Sequence, residues 1–298
     1  MLKRMMTHRI RLLFIWLGLA HLLLFKFWPM LGLSIAFQEY SIGNGFFDGP
    51  WVGGEHFATF FSNPNFSQVF ANTVIISCYR LFFVFLPPII LAILLNEVMS
   101  KWFKKVVQTL VYLPHFLSWV IIYGISFIIL SEGSGLINQW LRQTGGETIG
   151  FLTSEEWFRS IIVSTDIWKD TGWGTIIYLA AITGINPQLY EAAVMDGASK
   201  WKQIWHITIP GLMPVIFLMF ILRLAHILDG GLEQILVFYN PLVYSVGDII
   251  DTWVYRMGIL EGRMSLAAAV GLFKSVIALV LVLGANRISK KINGSGVW

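Results

Sequence analysis

Arg223, His226, Asp229 and Glu233 recur at three- and four-residue spacing, so one continuous helix would carry them as a single polar stripe. That stripe requires the helix to persist through Gly230-Gly231. A second set, Asp166, Lys169 and Asp170, sits at i, i+3 and i+4 with Trp168 and Trp173 close by. Charged groups and imidazole beside aromatic faces are suited to sugar hydroxyls and to uronate carboxylates. For the first set two readings stand, lining of a translocation path and bonding to neighbouring helices. For the second they are substrate contact and an intrahelical ion pair, with Arg80 a candidate partner of Asp166 or Asp170.

Other chemistries find little support in the residue types. His21 and His115 stand alone on apolar stretches, without a second ligand at metal-binding spacing, so the expectation is no metal site. Cys78 is the one cysteine, which excludes a disulfide framework. Asp248 with Asp251 is too thin a signal for a paired-carboxylate centre, and no catalytic residue is assigned. The phosphate-binding pattern G-x-x-x-x-G-K-[ST] does not occur, so any ATP chemistry has to come from another chain.

The elements that must hold these residues are membrane spans. Of 298 residues 56% are hydrophobic and 13% charged, with a mean hydropathy of +0.69, too little polar surface to cover a water-soluble globule. The net charge of +4 flanks apolar runs rather than forming a groove, so it marks membrane orientation and no nucleic-acid partner is expected. Six spans are expected, over 12–31, 69–95, 106–130, 159–182, 211–228 and 265–285, in one transmembrane domain covering 1–298. Pro87-Pro88 should kink the second. Twelve Lys and Arg fall on segments read as cytoplasmic against four on the opposite side, which puts both termini in the cytoplasm. The segments 34–68, 131–158 and 229–264 are then external, and Trp28, Trp51, Trp119, Trp157 and Trp253 sit where an interfacial belt would lie. The first span is read as uncleaved. Lys26, Arg80, Lys169, Arg223 and Lys274 remain within or beside spans, each costing ~2.5 to 3.5 kcal/mol at a helix centre. They should therefore face protein or a watery path. Arg223 lies roughly 18 Å beyond Gly211 along a helix, near the bilayer midplane.

Between the fourth and fifth spans runs a polar interruption at 186–210. Asn186 and Pro187 start a helix, Asp196-Gly197 should end it, and Ala198 to His206 reads as a second helix, with Pro210 at the foot of the next span. The spacing of Glu191, Ala192, Ala193, Gly197, Ile207 and Pro210 resembles the EAA loop of binding-protein-dependent ABC importers. That resemblance implies a MetI-like, type I permease fold: all-α, six transmembrane helices and a cytoplasmic coupling helix-turn-helix docked on an ATPase subunit, with Asp196 beside its turn.

From about Phe46 onward the chain is similar to carbohydrate permeases of the branch associated with aldouronate, pectin-fragment or alginate uptake. The stretches that carry this are PWVGGEHFATFFSNPNF, LNEVMSKWFKKVVQTLVYLPHFLSW, TDIWKDTGWGTIIYLA, YNPLVY, DTWVYRMG and AVGLFKS. The resemblance implies a non-catalytic multi-pass subunit in the bacterial cytoplasmic membrane, importing an oligo- or polysaccharide. Its partners are then the lipid bilayer, a second permease, two ATP-binding subunits that hold ATP and Mg, and an extracellular saccharide-binding protein. An ion-coupled secondary carrier is the alternative; it predicts inverted repeats, and none is detected.

Overall fold

The computed structural model describes residues 9–293 apart from 42, 44 and 47, so Lys3 and Arg4 of the basic N-terminal cluster lie outside the described residues. Among the described residues the chain is helical, with one isolated antiparallel bridge between Gln38 and Trp51. In chain order the α-helices are α1 (Arg9–Leu22), α2 (Glu55–Phe61), α3 (Phe66–Tyr79), α4 (Leu86–Glu97), α5 (Lys101–Tyr112), α6 (Trp119–Leu130), α7 (Leu136–Gln143), α8 (Glu155–Thr183), α9 (Pro187–Met195), α10 (Lys200–Gln203), α11 (Ile209–Ala225), α12 (Leu232–Phe238), α13 (Tyr244–Gly247), α14 (Ile250–Tyr255) and α15 (Met264–Asn293). Two compact units result, one from Met1–Phe66 and Val254–Ser275, the other from Ser67–Trp253 and Val276–Trp298.

In the first unit, α1 runs on through π, α and 3-10 turns as an apolar rod over Leu12–Phe37, none of whose apolar window is buried within the chain. Phe60 on α2 is buried, its ring 4.9 Å from that of Phe66 and 5.9 Å from that of Phe273. Tyr40 donates its backbone N–H to Ser265 Oγ at 2.9 Å.

The second unit is built around α8. Ser154 caps it by accepting from the Glu156 N–H at 3.3 Å, and Glu155 and Glu156 in the first turn complement the helix dipole. Beside α8, α4 packs Ile89 and Ala92 against Tyr178, Ile182 and Leu212 of α8 and α11. Phe158, Ile161 and Ile162 meet Ile122, Phe238 and Val243 in a second cluster. Most other large apolar side chains face outward, as in a protein whose solvent is hydrocarbon.

Several expected boundaries shift. By length and composition, four helices among the described residues can cross a membrane: Leu12–Phe37, Phe66–Glu97, Lys200–Ala225 and Met264–Lys291. A fifth is possible if Lys101–Phe116 and Trp119–Leu130, bent by 107°, form one span. The span expected at 106–130 is broken at Leu117-Ser118, where the backbone is extended and Ser118 caps α6. The region expected at 159–182 is α8, long enough but carrying Asp166, Lys169 and Asp170 in its middle. Pro87 and Pro88 sit in the first turn of α4, where missing N–H groups cost nothing, after a π-turn at Arg80–Val84, and Phe66–Glu97 runs as one long helix. The fifth span begins at Lys200 rather than 211, because α10 continues through a π-turn (Ile204–Thr208) into α11, and it ends at Ala225 rather than 228.

Much of the segment expected to be external from 229 onward is helical and packed against the rest of the unit. Gln234, Ile235, Phe238, Ile249, Ile250 and Trp253 are buried, so Trp253 is no interfacial residue. Polar anchors hold it. Asn72 donates to the carbonyls of Ser245 and Asp248, both at 3.0 Å, and the Ile250 N–H donates to Thr73 Oγ1 at 2.8 Å. Asp248 Oδ1 accepts from Thr252 at 2.7 Å and from Tyr239 at 2.9 Å.

Candidate functional site

Two features of the second unit collect the residues singled out above. The first is a polar cavity of about 530 Å³, lined by Arg80, His115, Trp119, Asp166, Asp170, Trp173, Tyr178, Arg223, His226 and Asp229 among others. Its floor is an ion pair: Arg80 Nε lies 3.1 Å from Asp166 Oδ2, and both side chains are about nine-tenths buried, at 11% and 8% exposure. The Nε–H is not aimed at that oxygen, so the attraction is ionic rather than a hydrogen bond. Arg80 Nη2 donates to Gln234 Oε1, while Gln234 Nε2 donates to the Ile162 carbonyl and to Thr165 Oγ1, each at 2.8 Å. One guanidinium thereby ties the π-turn after α3 to α8 and α12.

Farther along α8 His115 stacks on Trp173, centroids 4.6 Å apart and planes 4° from parallel, and its Nδ1 lies 3.3 Å from Asp170 Oδ1. At the mouth His226 Nδ1 meets Asp229 Oδ2 at 3.0 Å, both well exposed. Arg223, on the last turn of α11, lines the cavity with no carboxylate in ion-pair contact among the described residues.

The single-stripe expectation fails. α11 stops at Ala225, and Gly231 takes a left-handed φ of +74° before α12 begins. The break rotates Glu233 to the surface, away from Arg223, His226 and Asp229, and brings Gln234 inward instead. The intrahelical pairing of Lys169 with Asp166 or Asp170 fails too. Lys169 Nζ donates to the carbonyl oxygens of His115 and Leu117, and it does not line the cavity. Missed from the sequence was His115 as a cavity residue; its position beside Pro114, where a helix is apt to break, was the available signal. Asp251, considered above only as half of a weak carboxylate pair, accepts from the Gly230 N–H at 2.9 Å and fixes the turn. Among the described residues no group of three or more His, Cys, Asp or Glu could hold a metal ion.

The second feature is the hairpin α9–α10. Asn186 caps α9 by accepting from the Gln188 N–H at 3.0 Å, with Pro187 in the first turn. At its end the Gly197 N–H bonds the Val194 carbonyl at 3.0 Å and the Ala198 N–H bonds that of Ala193 at 2.8 Å. This is a Schellman closure, with Gly197 left-handed at φ +69°. It accounts for the four-residue spacing from Ala193 to Gly197 in E-A-A-x-x-x-G, because Ala193 supplies the carbonyl that the turn closes upon. Glu191, Ala192 and Asp196 are exposed and Ala193 is half-buried. Ile207 falls in the π-turn and Pro210 in the first turn of α11, so the expected separate second helix is in fact the first turns of the next long helix. Tyr190 and Thr208 join the arms by a 2.9 Å hydroxyl bond, and Lys200 pairs with Glu97 at 3.2 Å. Leu189, Val194, Met195, Trp201 and Trp205 stand more than half exposed on the hairpin.

A helical membrane protein with a polar cavity among apolar helices and a hairpin rooted between two long helices is a permease subunit of the type I ABC importer class. The chain belongs to the family of binding-protein-dependent transport system inner membrane components, which matches residues 88–294. It is 46% identical to the polygalacturonan/rhamnogalacturonan transport system permease protein YteP of Bacillus subtilis and 45% identical to Protein LplB of the same organism, covering 94% of this chain and 88% of each relative. A chain of a bacterial alginate ABC transporter, solved in complex with an alginate pentasaccharide-bound periplasmic protein, superposes with a TM-score of 0.90 at 41% identity, covering 99% of both chains. The carrier alternative loses its ground, since family membership ties transport to a binding protein.

Proposed function

We propose that this chain is one of two permease subunits of an ATP-driven importer for a uronate-bearing oligo- or polysaccharide. It lies in the bacterial cytoplasmic membrane with both termini and the α9–α10 hairpin on the cytoplasmic side. The observation that carries the reading is the polar, aromatic-walled cavity of about 530 Å³ sunk among apolar helices. The names of the relatives, which include a polygalacturonan/rhamnogalacturonan and an alginate transporter, support the class of cargo. Trp173 with His115 offers a flat face for a sugar ring, Asp170 and Asp229 accept from hydroxyls, and Arg223 is the cation left for a carboxylate. A binding protein outside delivers the saccharide. ATP is bound and hydrolysed in two partner subunits, which receive the exposed apolar residues of the hairpin, with Glu191, Ala192, Ala193, Asp196, Gly197, Ile207 and Pro210 forming the coupling element. Closure of those subunits then moves the hairpin and, through the continuous α10–α11 rod, the cavity wall.

The test is uptake by proteoliposomes holding the full transporter with its binding protein. Arg223→Gln is expected to lower uptake of a uronate oligosaccharide roughly tenfold, the size of one charge-assisted hydrogen bond of ~1.5 kcal/mol. Unchanged uptake would remove Arg223 from the path. Gly197→Val meets no neighbour, since a Cβ there finds nothing within 4 Å, but it forces a β-branched residue into left-handed backbone at a cost of ~1 to 2 kcal/mol. The expected outcome is normal membrane insertion with uptake lowered at least tenfold per ATP hydrolysed. A wild-type ratio of uptake to hydrolysis would show that the hairpin's closure does not matter for coupling.

A further inference from the structure

Lys169 is a cation in the middle of α8 that the cavity does not use. Its Nζ donates to the His115 carbonyl at 2.8 Å and to the Leu117 carbonyl, and it lies 5.3 Å from the centre of the Trp119 ring. Those carbonyls flank the place where the chain turns by 107° between Lys101–Phe116 and Trp119–Leu130. Extended backbone at Leu117 (ψ 139°) and Ser118 (ψ 156°) takes both oxygens out of the helical ladder. Irregular backbone at membrane depth survives only where such groups find donors, and an ammonium with three rotatable N–H groups can serve two carbonyls while resting against an indole face. The same break sets the two side chains that form the aromatic wall: His115, stacked on Trp173, and Trp119 both line the cavity.

We infer that Lys169 is a positioning residue of the transport path, which holds the break in the third span so that His115 and Trp119 face the cavity. The inference rests on the reading of that cavity as the path. In proteoliposomes holding the complete transporter, Lys169→Met, an unbranched side chain one atom shorter and without a donor, is expected to lower saccharide uptake at least tenfold, and Lys169→Arg, which keeps donors, to restore at least half of it. Uptake by K169M within twofold of wild type, or K169R no better than K169M, would overturn the assignment. Should K169M not assemble, the wild-type protein decides: amine acylation of the assembled transporter, mapped by mass spectrometry, is expected to find Lys169 at least tenfold less reactive than the exposed Lys101 and Lys105. Equal reactivity would mean that Lys169 is free and holds nothing. A wild-type transporter that moves no saccharide would sink the transport reading alone, because the acylation contrast does not depend on cargo.

Discussion

Arg80→Leu is expected to cost ~3 to 5 kcal/mol and to leave little assembled protein, the effect of stripping one partner from a buried ion pair. With the guanidinium gone, Asp166, 8% exposed, keeps its carboxylate among apolar helices, and Gln234 loses the donor to its side-chain oxygen. The consequence spreads, because Gln234 joins α12 to Ile162 and Thr165 of α8 through bonds of 2.8 Å. The double variant Arg80→Leu with Asp166→Leu removes both charges and should recover a large part of the loss, since a buried pair contributes less than its broken half costs. Thermal midpoints and recovery of the detergent-solubilised complex for the two single variants and the double one measure the coupling. Additive losses would mean that the 3.1 Å approach carries no mutual stabilisation.

Gly231→Val should be nearly as damaging, by another route. Its φ of +74° is left-handed, which costs ~1 to 2 kcal/mol for an L side chain, and a Cβ there would sit 2.8 Å from the Arg80 guanidinium carbon. The substituent therefore has to displace a cation that contacts both Asp166 of α8 and Gln234 of α12. Gly197 supplies the internal comparison, being equally left-handed at φ +69° with open space around it, so Gly197→Val bears the backbone strain alone. The expected ranking in thermal stability is wild type, then G197V, then G231V, with saccharide uptake by G231V reduced more than tenfold. A G231V protein as stable as G197V would mean that Arg80 yields without loss, and that the guanidinium is not wedged as described.

Arg80 is spent on Asp166 and Gln234, and Lys169 on two carbonyls, which leaves Arg223 as the cation on the wall with no carboxylate within ion-pair distance among the described residues. His115 and His226 each lie against a carboxylate, so neither Asp170 nor Asp229 faces the cavity as an isolated anion.

The parts legible in the sequence are those decided within a few residues. Asn186-Pro187 starts α9 and Gly197 closes it wherever the segment finds itself, because caps and left-handed turns are local events. The long apolar runs state residence in a bilayer by composition alone. What the charges do was decided by tertiary structure, because spacing along a helix lists only neighbours on the same helix. Asp166, Lys169 and Asp170 read as one pairing set, yet Asp166 takes Arg80, Asp170 takes His115, and Lys169 takes the carbonyls of a broken span, all from other segments. Glu233 left the expected stripe for the same reason: a glycine turn at 230–231 resets the helical phase, and no periodicity can be carried across it. Local backbone chemistry thus fixed the hairpin and the apolar helices, while the long-range need to satisfy every charge and carbonyl away from water fixed the cavity.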